Sequence, residues 1–244
     1  MRRSTGTVAY GIGILLILSG LIHLGVILVT GGSWEGPLSM RKPTTFGLSF
    51  GLTLINVTLL ASLLPLSDRL HRRLIGTFAA ACVIETFLVS MQAWRGVPSH
   101  FNMSTPFDTV VAQALAIGGF TLVVCIVMLT IAALRKGGAL PAPMRLALRA
   151  GLVALVGAQA TGGLMIATGV RYVIAGDPQR AYAIGGWLKP VHGVLMHGIL
   201  ILPLLAWWVA RNDAEPRQQM RAMRAGITVY ALIVIAALAS VFLA

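Results

Sequence analysis

The chain has 244 residues, 57% hydrophobic and 11% charged, with a mean hydropathy of +0.86. Soluble domains carry about 25% charged residues, so too few polar side chains are present to cover a water-facing surface, and lipid is the expected solvent. The net charge of +12 does not call for nucleic acid: the arginines and lysines form short clusters between apolar runs, as loops beside anionic headgroups do.

Seven apolar runs follow in chain order, at 8–30, 44–64, 74–94, 109–133, 148–169, 191–210 and 225–243. A transmembrane helix needs ~20 apolar residues, so each run is long enough to cross a bilayer. The expected fold is all-α, a polytopic transmembrane bundle of seven helices forming a single domain over residues 1–244. The first run follows Arg2 and Arg3 like a secretory signal, but it is too long for a cleavable signal core and reads as the first helix. Turn residues separate the runs: Gly31-Gly32-Ser33, Pro65 to Asp68, Pro98-Ser99-His100, Gly137-Gly138, and Gly176-Asp177-Pro178.

The positive residues divide unevenly between the two sides. Arg2 and Arg3, then Arg69, Arg72 and Arg73, then Arg135, Lys136, Arg145 and Arg149, then Arg211, Arg217, Arg221 and Arg224 share one side. Arg41, Lys42, Arg95, Arg171, Arg180 and Lys189 share the other. Positive loops stay inside, so the amino terminus is expected inside and the carboxyl terminus outside. Gly31-Gly32-Ser33-Trp34 before Lys42-Pro43 is echoed by Gly185-Gly186-Trp187 before Lys189-Pro190, with a helix start expected at each proline. Cys82 and Cys125 fall inside apolar runs with no CxxC pair, and read as small buried side chains.

Polar groups within the runs carry the functional signal. A charged side chain at a helix centre costs about 2.5–3.5 kcal/mol on translocon scales, which singles out Glu85 in the third run as a proton acceptor. Gln92 lies seven residues on, close to the same face. Ser49, Thr53 and Asn56 make a stripe on the second run, and Gln159 and Thr161 lie beside Gly162-Gly163 on the fifth. These read as hydrogen-bonding glue between helices.

Four of the five histidines, His23, His100, His192 and His197, fall in the outer loops or outer half of the expected bundle; His71 reads as a cytoplasmic loop residue. His192 and His197 are five residues apart, roughly 140° around an ideal helix, so they cannot act together as a same-face metal pair. No HExxH or CxxCH motif is present. The stretch Gln92 to Asn102, with Arg41, Lys42, Arg180 and Lys189, reads as an electropositive lid for an anionic headgroup or a propionate.

Trp34-Glu35-Gly36-Pro37 with Arg41-Lys42-Pro43, and Gln92 through Asn102, resemble stretches of an uncharacterised family of bacterial polytopic integral membrane proteins. The resemblance covers about a quarter of the chain, and implies a multi-helix fold in the bacterial inner membrane and no particular activity.

Three functions are compatible with these residues. The first is electron transfer on haem b or a quinone, with His23, His192 and His197 as ligands, His100 as an alternative, and Glu85 as proton acceptor. The second is a proton-linked transporter or permease that titrates Glu85. The third is a non-catalytic partner or assembly factor for another membrane protein. Expected partners are the bilayer, anionic lipid and other membrane proteins.

Overall fold

In the computed structural model the described residues are 2–36, 38–135, 140–184, 186–212 and 215–243. Of the features read from the sequence, Pro37, Lys136, Gly137, Gly138 and Gly185 lie outside them, as do the side chains of Arg2 and Arg3. The described residues form eight helices: α1 (Arg2–Thr30), α2 (Arg41–Ser62), α3 (Asp68–Trp94), α4 (Pro106–Leu134), α5 (Ala142–Ile174), α6 (Pro178–Ile184), α7 (Lys189–Ala210) and α8 (Pro216–Leu243). All but α6 are long and apolar enough to cross a membrane. In hydrocarbon every backbone N–H and C=O needs an internal partner, and the helix supplies it within one segment.

The helices outrun the apolar stretches because capping residues extend them into polar sequence. Ser67 caps α3, its hydroxyl accepting the Leu70 N–H at 3.3 Å. Asp177 caps α6 by accepting the Arg180 N–H at 3.0 Å, with Pro178 opening the helix. That Asp-Pro pair was the available signal for α6, which the apolar pattern does not contain. The helices beside the echoed prolines begin slightly earlier than expected, α2 two residues before Pro43 and α7 one before Pro190.

Two compact units emerge, each described by itself. The first comprises α1, α2, α3, α4 as far as Cys125, and residues 169–182. Its tightest contact is the crossing of α1 and α2. A Cβ at Gly20 would lie 2.7 Å from the Leu48 nitrogen, and one at Gly47 would lie 2.6 Å from the Gly20 nitrogen. Gly13 and Gly51 face each other in the same way, a Cβ on Gly51 falling 2.5 Å from the Gly13 oxygen. Helices in lipid gain association energy from such close packing of small residues.

The second unit comprises residues 63–65, 126–168 and 183–244. Ala147, Leu202, Ala206, Met223 and Tyr230 form its core, and the Tyr230 hydroxyl donates to the Val194 carbonyl. Arg149 of α5 caps the end of α4, donating from Nε to the Ala133 oxygen at 2.8 Å and from Nη2 to the Arg135 oxygen at 3.1 Å. A cation there offsets the negative end of the helix dipole. Val229, Leu232, Ile235, Leu238 and Phe242 leave α8 with an exposed apolar side, as a lipid-facing span requires.

Candidate functional site

The site in the first unit is built on α3, whose buried face carries an ionisable group in mid-span. Glu85 is 3% exposed and lies nine residues from the Trp94 end, about 13 Å along the axis. Its carboxyl group is turned to α4, where it approaches the Gly119 backbone. Any Cβ on Gly118 would collide with Glu85 Oε1, so the bare Cα of Gly118 is what makes room for the carboxyl. Oε1 is buried and has no hydrogen-bond partner. Glu85 is in neither of the ion pairs seen among the described residues, Arg41–Glu35 and Arg95–Asp108.

The neighbours expected for Glu85 are engaged elsewhere. Gln92, fully buried, donates from Nε2 to Asp108 Oδ1 at 2.9 Å and accepts from Arg95 through Oε1. Arg95 Nη1 also donates to Asp108 Oδ1 at 2.7 Å, and its guanidinium lies 4.7 Å from the centre of the Phe107 ring. The other oxygen of Asp108 accepts from the Thr105 hydroxyl at 2.7 Å. Sequence reasoning passed over Asp108 because no motif surrounds it. The signal was the fourth-run start Thr105-Pro106-Phe107-Asp108, where Thr105 caps the helix by accepting the Asp108 N–H at 3.1 Å.

His23 is 6% exposed and has both ring nitrogens engaged. Nδ1–H donates to the Ser19 carbonyl at 2.7 Å, and Nε2 accepts the Trp94 indole N–H at 3.0 Å. This makes a neutral tautomer that ties α1 to α3 and is not turned to Glu85.

His100 is half-buried in a chain of rings. Its centroid lies 5.8 Å from Phe46 and 6.2 Å from Phe101, and Phe101 lies 6.3 Å from Tyr182. The Ser99 hydroxyl is 3.0 Å from His100 Nδ1. Burial, reinforced by the positive charge of Lys42, holds the imidazole down at about 3, against an ordinary 6.5. Burial also raises the Tyr182 phenol. Phe101 adopts φ +64, a conformation unfavourable for a bulky residue, and its ring lies against the bare Cα of Gly169. The Gln92 to Asn102 stretch is thus a rigid, internally bonded structure.

In the second unit His192 donates from Nδ1 to the Ala158 carbonyl at 2.8 Å, packed over Gly162. Thr161 donates to the same carbonyl at 2.7 Å. His197 is exposed and donates from Nδ1 to the Gly193 carbonyl at 2.6 Å. Both histidines therefore keep Nε2 as the nitrogen with a lone pair. Ser49 donates to the Thr45 carbonyl, so its bond is local and does not join helices. His71 belongs to α3 and is 2% exposed; it is not a loop residue, because α3 begins six residues before the apolar run. Among the described residues no three His, Cys, Asp or Glu side chains are grouped to hold a metal ion.

Fold and site together define a multi-pass α-helical membrane protein with a buried mid-span carboxyl group. No family model, curated protein or solved structure matches the chain.

Proposed function

We propose that the protein is a proton-linked transporter or permease in which Glu85 takes up and releases the proton. One observation carries this reading: a carboxyl oxygen, Glu85 Oε1, is buried in mid-span without a partner, in a space that Gly118 leaves open. Ionisable groups in the membrane interior mark proton relays and substrate pathways. Asp108, by contrast, has acceptor bonds on both oxygens, which suits a structural anchor. The charge distribution supports an amino terminus inside, and the resemblance supports the inner membrane of a bacterium.

Proteoliposomes containing an internal pH dye test the proposal. Potential-driven proton flux should vary between about pH 5 and about pH 9 in the wild type and be abolished in Glu85→Gln, an amide that cannot titrate. Equal flux and matching pH profiles, at equal thermal stability, would return Glu85 to a structural role.

A second reading, electron transfer on haem b or a quinone, is favoured by α7. His192 and His197 each have Nδ1 tied to a carbonyl, the arrangement that orients a ligating imidazole. His23 fits less well, since Trp94 occupies its Nε2. Haem, when bound, would supply a one-electron centre. A Soret band in the purified protein, lost in His192→Ala or His197→Ala and kept in His23→Ala, is the expected result. Colourless, folded protein from haem-replete cells would remove haem.

A further inference from the structure

We infer that Thr86 and Ser90 are a hydrated relay through which Glu85 exchanges protons with the α3–α4 loop end of the membrane. The inference rests on reading Glu85 as a titrating group, and it assigns the route by which the proton arrives.

The hydroxyls of this chain set the contrast. Those of Thr44, Ser49, Thr109, Thr121, Thr130 and Thr168 all donate to the carbonyl four residues back, the usual way a hydroxyl is satisfied inside an apolar helix. Thr86 and Ser90 do not. Thr86 Oγ1 and Ser90 Oγ are buried with no partner, as is Glu85 Oε1. Buried polar atoms are bonded as a rule, and three orphaned oxygens within two turns supply the polar contacts an internal water needs. Two further orphaned oxygens, Asn56 Oδ1 and Thr58 Oγ1, are on α2 and form no part of this series.

Direction comes from what lies beyond the series at each end. Thr86 and Ser90 are one turn apart on one face of α3, and Ser90 is about 7.5 Å nearer the Trp94 end than Glu85. Gln92 follows, bonded to Asp108 and Arg95, and the Arg95 side chain is 39% exposed. Polar groups thus run from mid-helix to the surface at that end. Towards Ser67 the buried face continues as Cys82, Ala81, Ala79, Phe78, Ile75 and Leu74, which offers no hydroxyl to continue a relay. The asymmetry makes this a half-channel. Around it, the ionisable groups are Cys82 on α3, Cys125 on α4, Asp108 and Arg95 at its mouth, and His23 on α1, bonded to Trp94; α2 adds none below Lys42. In the transfer a hydronium ion gives its proton through hydrogen-bonded water to Glu85 Oε1, the carboxylate becoming a carboxylic acid and the hydronium becoming water.

Infrared spectroscopy of lipid-reconstituted protein tests the relay. A protonated-carboxyl band missing in Glu85→Gln belongs to Glu85, and it should shift on transfer from H2O to D2O. In Thr86→Val/Ser90→Ala the shift should proceed at least about tenfold more slowly, a barrier change of about 1.4 kcal/mol, with the same final amplitude. Unchanged exchange in the double variant overturns the relay and leaves Glu85 titration standing; absence of any Glu85-dependent band overturns both. If the double variant fails to fold, thiol labelling decides in a Cys82→Ala/Cys125→Ala background. A small water-soluble reagent should modify Ser90→Cys but not Phe87→Cys, whose site is 63% exposed yet faces lipid; an unreactive Ser90→Cys overturns the relay.

Discussion

The carboxyl group of Glu85 lies against the bare Cα of Gly118, so that one helix's ionisable group occupies space that the next helix leaves by lacking a side chain. The two residues are therefore energetically coupled. Gly118→Ala should destabilise the protein by about 1–3 kcal/mol, the usual cost of overpacking. In a Glu85→Ala background the same change should cost much less. Thermal unfolding of the four proteins of this double-mutant cycle in one detergent measures the coupling, and additive losses would dissolve it.

The Arg95–Asp108 pair should be a main fastening of the α3–α4 connection. Asp108 is 2% exposed, and Arg95→Ala would leave its carboxylate without a countercharge. Breaking a buried pair from one side costs about 3–5 kcal/mol, and the part-exposed arginine places the expected loss at the low end. Arg95→Ala/Asp108→Asn should recover part of it, because no buried charge then remains unpaired. Thermal melts of the single and double variants check this.

His100 should make the protein sensitive to acid. The fold holds this imidazole neutral down to about pH 3, whereas the unfolded chain binds a proton below about 6.5. The unfolded state therefore takes up more protons as pH falls from 6.5 towards 3, and stability is lost over that window. Above 6.5 both states are neutral and the contribution is complete. His100→Gln should flatten the dependence of Tm on pH between about 6.5 and 4, and an unchanged slope would contradict the burial of the ring.

Topology has a direct test in exposed loop residues. Ser33, between α1 and α2, and Asn212, between α7 and α8, are both exposed. In a background lacking Cys82 and Cys125, Ser33→Cys should react with an impermeant thiol reagent in intact cells. Asn212→Cys should react only after permeabilisation. The reverse pattern would invert the charge-based orientation.

The seven spans were legible in the amino-acid sequence, because bilayer thickness sets a minimum apolar length that each run meets on its own. Glu85 was legible for the same reason, as a carboxyl group cannot sit in such a run without consequence. Partner choice was not. Helical periodicity tells which residues share a face, and so it paired Glu85 with Gln92; it does not tell which helix that face meets. Only the packing of α3 against α4 turned Glu85 to Gly118 and Gln92 to Asp108, and only the approach of α1 gave His23 to Trp94. Likewise, His71 looked like a loop residue beside Arg72 and Arg73, until the cap at Ser67 started α3 below it. Hydrophobic length is a local property, whereas the neighbour of a buried polar atom is decided by the assembled helices.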